Sequence, residues 1–402
     1  MDRIYDSFFE TNLRRYRQMA FVTGPRQVGK TTTGQHLLER FGGGTYLNWD
    51  IPSQRLVLLE GVDGIERAAN LEVIGDHPPL IILDELHKFA HWKDLLKGLY
   101  DHLSHRAKIL VTGSARLDVF NRGGDSLMGR YFLYRYHPLS VGEIASAQMI
   151  EEPLRSKPVA IPDADYEALL RFGGYPDPYL QRSDEFLQRW QSLRFKQLLQ
   201  DEVRDLTKIQ QIAQLEVLGE LLRHQAGQST SYESLAKKVR ISANTIRSWV
   251  QTLEALYYCF TIRPWSKNVT RSLLKEPKIY LWDWTLVLDE GSRRENVIAS
   301  HLLKACHFWS DCGWGAFELY YLRDKDQREI DFLIAKDNEP WMMVEAKSQQ
   351  RSIGESFHKF YEQLRPTYAV QVVFDLPYTS MNTLIPGELN VVPARSFLSQ
   401  LP

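Results

Sequence analysis

The sequence predicts an α/β chain: a parallel sheet flanked by helices, then a helical stretch, a basic helical module and a second α/β domain. Three observations carry that reading. Between residue 19 and about residue 140, short apolar runs (20–23, 45–47, 80–83 and 109–112) alternate with stretches at helical spacing, the pattern of a parallel sheet with helices packed on it. Residues 223–275 hold nine Lys or Arg and only two acids, Glu233 and Glu254, a net of +7 in a chain whose formal charge is −1. After Pro277, strand-like runs return at 278–282, 317–322, 329–334, 341–345 and 369–374.

At roughly 100 to 200 residues per domain, a chain of 402 residues holds two to four domains. Lysine plus arginine total 49 against 50 for aspartate plus glutamate, so any nucleic-acid surface must be local. Cys259, Cys306 and Cys312 are too few for a disulfide framework and point to a reducing compartment. The gap between Cys306 and Cys312, with His301 and His307 nearby, matches none of the paired spacings of zinc sites. The N-terminus lacks the basic-then-apolar order of an export signal, and no run reaches the ~18 apolar residues of a membrane span. The expectation is a cytoplasmic protein without a membrane partner, divided into a core at 1–145, a helical lid at 146–215, a basic module at 216–275 and a C-terminal domain at 276–402.

The core carries the most specific motif. Gly24-Pro25-Arg26-Gln27-Val28-Gly29-Lys30-Thr31, followed by Thr32, satisfies G-x-x-x-x-G-K-[ST] between an apolar strand and a helix beginning near Lys30. In such a loop the backbone amides turn toward phosphate oxygens and the helix N-terminus adds partial positive charge. Lys30 reaches the β- and γ-phosphates, and the Thr31 hydroxyl ligands magnesium. ATP and Mg²⁺ are therefore the expected ligands. The run 80–85 ends in Asp84 and Glu85, with Asp84 lying 54 positions after Lys30. Strand alternation would send the two carboxylates to opposite faces, Asp84 to the magnesium shell and Glu85 to the attacking water. The strand at 108–112 leads to Ser114, a candidate γ-phosphate sensor. Arg130 is the first candidate for an arginine supplied by a neighbouring subunit, with Arg116 and Arg122 as alternates.

In the basic module, helices are expected at 215–225, 232–239 and 242–257. Ile246, Trp249, Val250, Leu253, Leu256 and Tyr257 form one buried stripe, and Ser242 is the N-cap. The opposite face offers Asn244, Thr245, Arg247, Ser248 and Gln251, with Lys237 and Lys238 on the preceding helix. This is a winged-helix arrangement with a recognition helix, suited to DNA in a salt-sensitive way and without evident base specificity; the competing reading is a packing module. In the C-terminal domain, Glu295 lies on a helix, Asp331 in a strand, and Glu345-Ala346-Lys347 closes the next strand. That constellation resembles the PD-(D/E)xK nuclease fold. The resemblance implies metal binding by Glu295, Asp331 and Glu345 and a water-positioning role for Lys347.

With Thr112-Gly113-Ser114-Ala115-Arg116, Leu127-Met128-Gly129-Arg130, Tyr136-His137-Pro138-Leu139-Ser140 and Gly173-Gly174-Tyr175-Pro176, these motifs resemble the bacterial and archaeal AAA-type ATPases whose C-terminal half is a domain of unknown function. The resemblance implies a P-loop AAA-type ATPase core with helical lid, winged-helix module and C-terminal α/β restriction-endonuclease-like domain, assembled as a homo-oligomer. The reading that follows is a magnesium-dependent ATPase that remodels or translocates along DNA, duplex or branched. Its rivals are an ATP-gated nuclease in defence or repair and a STAND-like signalling switch with no DNA role.

Overall fold

The computed structural model of the chain describes residues 1–71, 78–113, 127–198, 203, 209, 211–266, 275–349 and 352–402. They divide into two compact units, 1–138 with 147–149 and 139–146 with 150–402. No helix among the described residues is long and apolar enough to cross a membrane.

The first unit is built on five parallel strands, β1 (Met19–Thr23), β2 (Gly44–Asn48), β3 (Leu80–Asp84), β4 (Lys108–Gly113) and β5 (Tyr131–Arg135), in the order β2-β3-β4-β1-β5. Every residue of β1 and β3 is buried, as parallel strands covered by helices on both faces require. Those helices are α1 (Ile4–Arg15), α2 (Lys30–Phe41), α3 (Pro52–Leu59), α4 (Gly61–Ala68) and α5 (Trp92–Leu103). Phe21, Leu83 and Val111 from the sheet pack with Ile65, Leu96 and Leu99 in one core. The register pairs Asp84 with Thr112 and Thr112 with Val22, so the carboxyl ends of β3, β4 and β1 lie level. Ligands of open α/β sheets bind just beyond such ends.

Two elements of this unit, α1 and β5, carry no sequence expectation. α1 buries Ile4, Tyr5, Phe8, Phe9 and Leu13, each contributing roughly 1.5–3 kcal/mol of apolar burial where the ring or branch is fully covered. Its aromatic face meets the β5 segment: Phe8 lies edge-on to Tyr134 at 5.2 Å, and Tyr5 stacks on Tyr136 at 4.2 Å. β5 is an edge strand, half exposed, with Tyr134 as its one buried residue, and the other edge, β2, is exposed in the same way.

The second unit holds a seven-stranded mixed sheet in the order β12-β11-β10-β9-β8-β6-β7. Its strands are β6 (Cys259–Pro264), β7 (Lys278–Leu281), β8 (Phe317–Arg323), β9 (Glu329–Lys336), β10 (Glu339–Lys347), β11 (Tyr368–Val373) and β12 (Leu389–Pro393). Its helices are α6 (Val141–Ala145), α7 (Asp163–Phe172), α8 (Pro176–Gln181), α9 (Asp184–Gln197), α10 (Ile212–His224), α11 (Tyr232–Val239), α12 (Ala243–Ala255), α13 (Glu290–Asp311), α14 (Glu355–Leu364) and α15 (Ala394–Ser399). β6 and β7 pair antiparallel, and β6 continues into the sheet through β8. Ser242 caps α12 by accepting from the Thr245 amide at 3.1 Å. The buried face of α12 is Ile246, Trp249, Val250 and Leu253.

The 22-residue α13 packs against the edge strand β7. Asn296, fully buried, donates to Leu281 O at 2.7 Å and accepts from Leu281 N at 2.8 Å, which satisfies a backbone pair that a sheet edge leaves open. One turn on, His301 Nε2 accepts from the Val141 amide at 3.0 Å while Nδ1 bonds Val297 O at 2.7 Å. Burial drives the His301 pKa down to about 4, with the Lys304 charge adding to it. The folded ring therefore stays neutral where the unfolded one takes a proton. This stabilisation is complete above pH 6.5 and is lost as pH falls toward 4, reaching about 3 kcal/mol by pH 4. Chemical denaturation across that window should show this loss in the wild type and a flatter curve in His301→Gln.

Candidate nucleotide site

The phosphate loop runs from the end of β1 into α2. Gly24 is required by close approach: a Cβ there would lie 2.2 Å from the Tyr136 carbonyl oxygen. Gly29 is the N-cap of α2 at φ +101°, a left-handed conformation that only glycine adopts at no steric penalty. Lys30 is buried, and its ammonium donates to the carbonyls of Gly24 at 2.8 Å and Pro25 at 2.6 Å, so the lysine lies folded against its own loop. Arg26 and Gln27 are exposed at the tip, Pro25 and Val28 are buried beneath them, and Thr31 and Thr32 are exposed on the first turn of α2.

Asp84 gathers three hydroxyl donors. Thr31 reaches Oδ2 at 3.0 Å, Tyr46 reaches the same oxygen at 2.5 Å, and Thr112 reaches Oδ1 at 2.6 Å. Three hydroxyls thus converge on the two oxygens of one carboxylate and fix its orientation at the end of β3. Burial, and then the hydrogen bond to Asp84, push the Tyr46 hydroxyl well above the ordinary tyrosine pKa, so it stays a donor. The donor set, a threonine hydroxyl beside a carboxylate, is the hard oxygen chemistry that magnesium takes. Thr31 and Asp84 are the residues that would hold it.

Glu85 is separated from Asp84 by a turn, not by strand alternation. β3 ends at Asp84, and Glu85 adopts φ +55°, a left-handed backbone uncommon for a side chain of this size. Its carboxylate is 3.2 Å from Lys88 Nζ and 3.7 Å from His87 Nε2, clear of the Asp84 hydroxyl cluster.

Residues 16–145 match the model of the AAA domain. The chain thus carries an AAA domain, followed by a Domain of unknown function (DUF8612) matched at 163–289 and a Domain of unknown function (DUF4143) at 290–394. Uncharacterized protein Rv2008c of Mycobacterium tuberculosis is 23% identical over 382 residues, 92% of this chain and 77% of that one. Uncharacterized protein MJ1637 of Methanocaldococcus jannaschii is 24% identical over 333 residues, 72% of this chain and 68% of that one. Among solved structures, the Walker-type ATPase PABY2304 of Pyrococcus abyssi is similar with a TM-score of 0.44 at 14% identity, over 70% of this chain and 93% of that one. The Orc1 protein of Aeropyrum pernix in complex with DNA is similar with a TM-score of 0.32 at 13% identity, over 75% and 91%.

Behind the phosphate loop of the AAA domain lies a buried network without a sequence signature. Arg3 donates to Val28 O and to His137 O, both at 2.7 Å, with its guanidinium 4.7 Å from the centre of the Tyr136 ring. Thr33, on α2, donates to the fully buried Asp6 at 2.8 Å and shares a hydrogen bond with the Tyr136 hydroxyl at 2.8 Å. Asp6 and Arg3 are ordinary polar residues of a helix start in sequence; only the fold brings α1 against the loop.

The remaining candidates are scattered. Ser114 lies outside the described residues. Arg130 pairs with Asp101 at 3.0 Å on the surface, just before β5. Since Tyr131 pairs with Met19 and Arg135 with Thr23, Arg130 stands at the amino end of the sheet, the phosphate loop at the carboxyl end. A strand of this length separates them by roughly 13 Å or more. In the second unit Asn244, Arg247, Ser248, Lys237 and Lys238 are exposed and Thr245 is half-buried. The Arg247 guanidinium rests 5.6 Å from the centre of the Tyr232 ring.

The C-terminal residues lie in one region of the sheet but are held by separate partners. Asp331 accepts from the Ala346 amide at 2.9 Å, Glu345 pairs with Lys347 at 2.9 Å, and Glu295 accepts from the Tyr280 hydroxyl at 2.6 Å. A further residue, absent from the sequence reading, sits among them. Lys278 Nζ is 2.7 Å from Glu329, 3.3 Å from Glu295 and 3.9 Å from Asp331. Burial opposes its charge, but Glu295, Asp331 and Glu329 together raise its pKa above the usual lysine value. The signal that could have found it is a lysine opening an otherwise apolar strand, Lys-Ile-Tyr-Leu.

Proposed function

We propose that the chain is a magnesium-dependent ATPase that works as a homo-oligomer and couples ATP turnover to remodelling or moving along DNA, duplex or branched. The observation that carries it is the Asp84 cluster, in which the phosphate-loop threonine, the acid after β3 and the threonine ending β4 share one hydrogen-bonded centre. Lys30 and the loop amides hold the phosphates, Thr31 and Asp84 hold the metal, and Glu85, clear of that centre, orients the attacking water. Arg130, at the far end of its own sheet, would serve a nucleotide bound by another copy.

The DNA assignment rests on charge and exposure. Residues 223–275 have a net of +7, and Arg247, Asn244, Ser248, Lys237 and Lys238 are open to solvent on α11 and α12. Each phosphate neutralised releases a condensed counterion. Binding should therefore weaken steeply with salt, and Arg247→Ala should lower the slope of log affinity against log salt by about 1. ATP turnover measured without DNA, with single strands, with duplex and with four-way junctions tests the coupling. DNA should stimulate wild type and do so less in Arg247→Ala; a flat response in every arm would favour a nucleotide-driven signalling switch.

A further inference from the structure

The C-terminal acid cluster already contains a cation. Four carboxylates, Glu295, Glu329, Asp331 and Glu345, face three cationic side chains, Lys278, Arg323 and Lys347. Lys278 is the buried one, 3% exposed, and its ammonium contacts Glu295, Glu329 and Asp331 together. Each of three carboxylates also accepts from a fixed donor: Glu295 Oε1, the oxygen that Lys278 meets, from Tyr280, Asp331 Oδ2 from the Ala346 amide, and Glu345 Oε2 from Gln371 Nε2 at 3.2 Å. Gln371 is fully buried, and its Oε1 has no hydrogen-bond partner.

A divalent ion needs several carboxylate oxygens at about 2.0–2.6 Å around one point. Here Glu295 and Asp331, two of the three acids that would bind it, face an ammonium tethered to β7. Lys278 comes from the segment before α13, outside residues 290–394, so the stretch carrying Glu295, Asp331 and Glu345 receives its cation from another part of the chain. The donor set does not fit a metal ion while the lysine is in place.

The geometry points to Lys278 as the resident cation of this cluster, standing where a nuclease-like domain would hold a divalent metal, so that this domain does not cleave DNA and exposes a divalent-cation site only when the ammonium is removed. The assignment is independent of the ATPase reading.

The test is a calorimetric titration of the nucleotide-free full chain with Mn²⁺ alone. Wild type and Asp331→Asn should bind Mn²⁺ alike, whereas Lys278→Met should bind it at least tenfold more tightly than Lys278→Met/Asp331→Asn. Mn²⁺ should also raise the melting temperature of Lys278→Met and not that of the double variant. If Asp331→Asn weakens Mn²⁺ binding tenfold in the wild-type background, or wild type nicks plasmid in Mn²⁺ and Asp331→Asn does not, the metal site is open and the inference fails. A folded Lys278→Met with no Asp331-dependent binding overturns it equally. Should Lys278→Met not fold, the comparison of wild type with Asp331→Asn decides alone.

Discussion

Glu85→Gln lowers ATP turnover by about 10²–10⁴-fold, the range for loss of a positioned general base, and leaves nucleotide affinity within a few-fold. The Glu85 carboxylate shares no hydrogen bond with the Asp84 hydroxyl cluster and meets Lys88 and His87 instead, so the amide isostere leaves the loop, Lys30 and Asp84 in place. The left-handed backbone at Glu85 is tolerated by glutamine as well as by glutamate, so the change is confined to the charge. Steady-state turnover and nucleotide titration on the same preparation separate the two effects. Less than a threefold loss of turnover would remove Glu85 from the reaction.

The second large effect is on stability. Lys304 pairs with Glu143 at 2.6 Å, both side chains are within 2% of complete burial, and Lys304 also donates to Ser140 Oγ at 2.8 Å. Exposed ion pairs contribute at most about 1 kcal/mol. A buried pair behaves differently, because removing one member strands the other charge in a medium that cannot solvate it, at about 3–5 kcal/mol. Lys304→Met and Glu143→Leu should each destabilise the second unit by that amount in urea titration, followed through its buried Trp284 and Trp309. The double variant should recover part of the loss, since neither member of this pair is then left without the other, while the largely buried Arg155 still loses the nearby Glu143 charge. Single losses below 1 kcal/mol would mean that water reaches the pair.

The nucleotide loop was legible because its chemistry is local: eight consecutive residues specify a turn, a helix start and a lysine. The buried strands of the first unit were legible for a related reason, since their apolar runs record burial directly. What escaped were groups that act only through long-range contact. Tyr46 reads as one aromatic in a short strand and Thr112 as a strand end, yet both donate to Asp84. Arg3, Asp6 and Thr33 support the loop from α1 and α2 across 25 residues or more. Asp84 and Glu85 do have different surroundings, but strand alternation is not the cause: β3 stops at Asp84, and Glu85 already sits in the turn that follows. Lys278 is the sharpest case. Asp331, Glu345 and Lys347 follow a spacing that a sequence displays, whereas the lysine that meets the acids lies more than fifty positions before Asp331 and belongs to no motif.

The central claim is that the amide-rich loop at 24–31 binds a nucleoside triphosphate with magnesium. Isothermal titration of the folded full chain with a non-hydrolysable ATP analogue and Mg²⁺ measures this directly. Wild type should give saturable heat with one site per chain, and Lys30→Ala, with an unchanged far-ultraviolet spectrum, should give none. A folded wild type that takes up no adenine nucleotide, or a Lys30→Ala variant that binds it as tightly as wild type, would contradict the account.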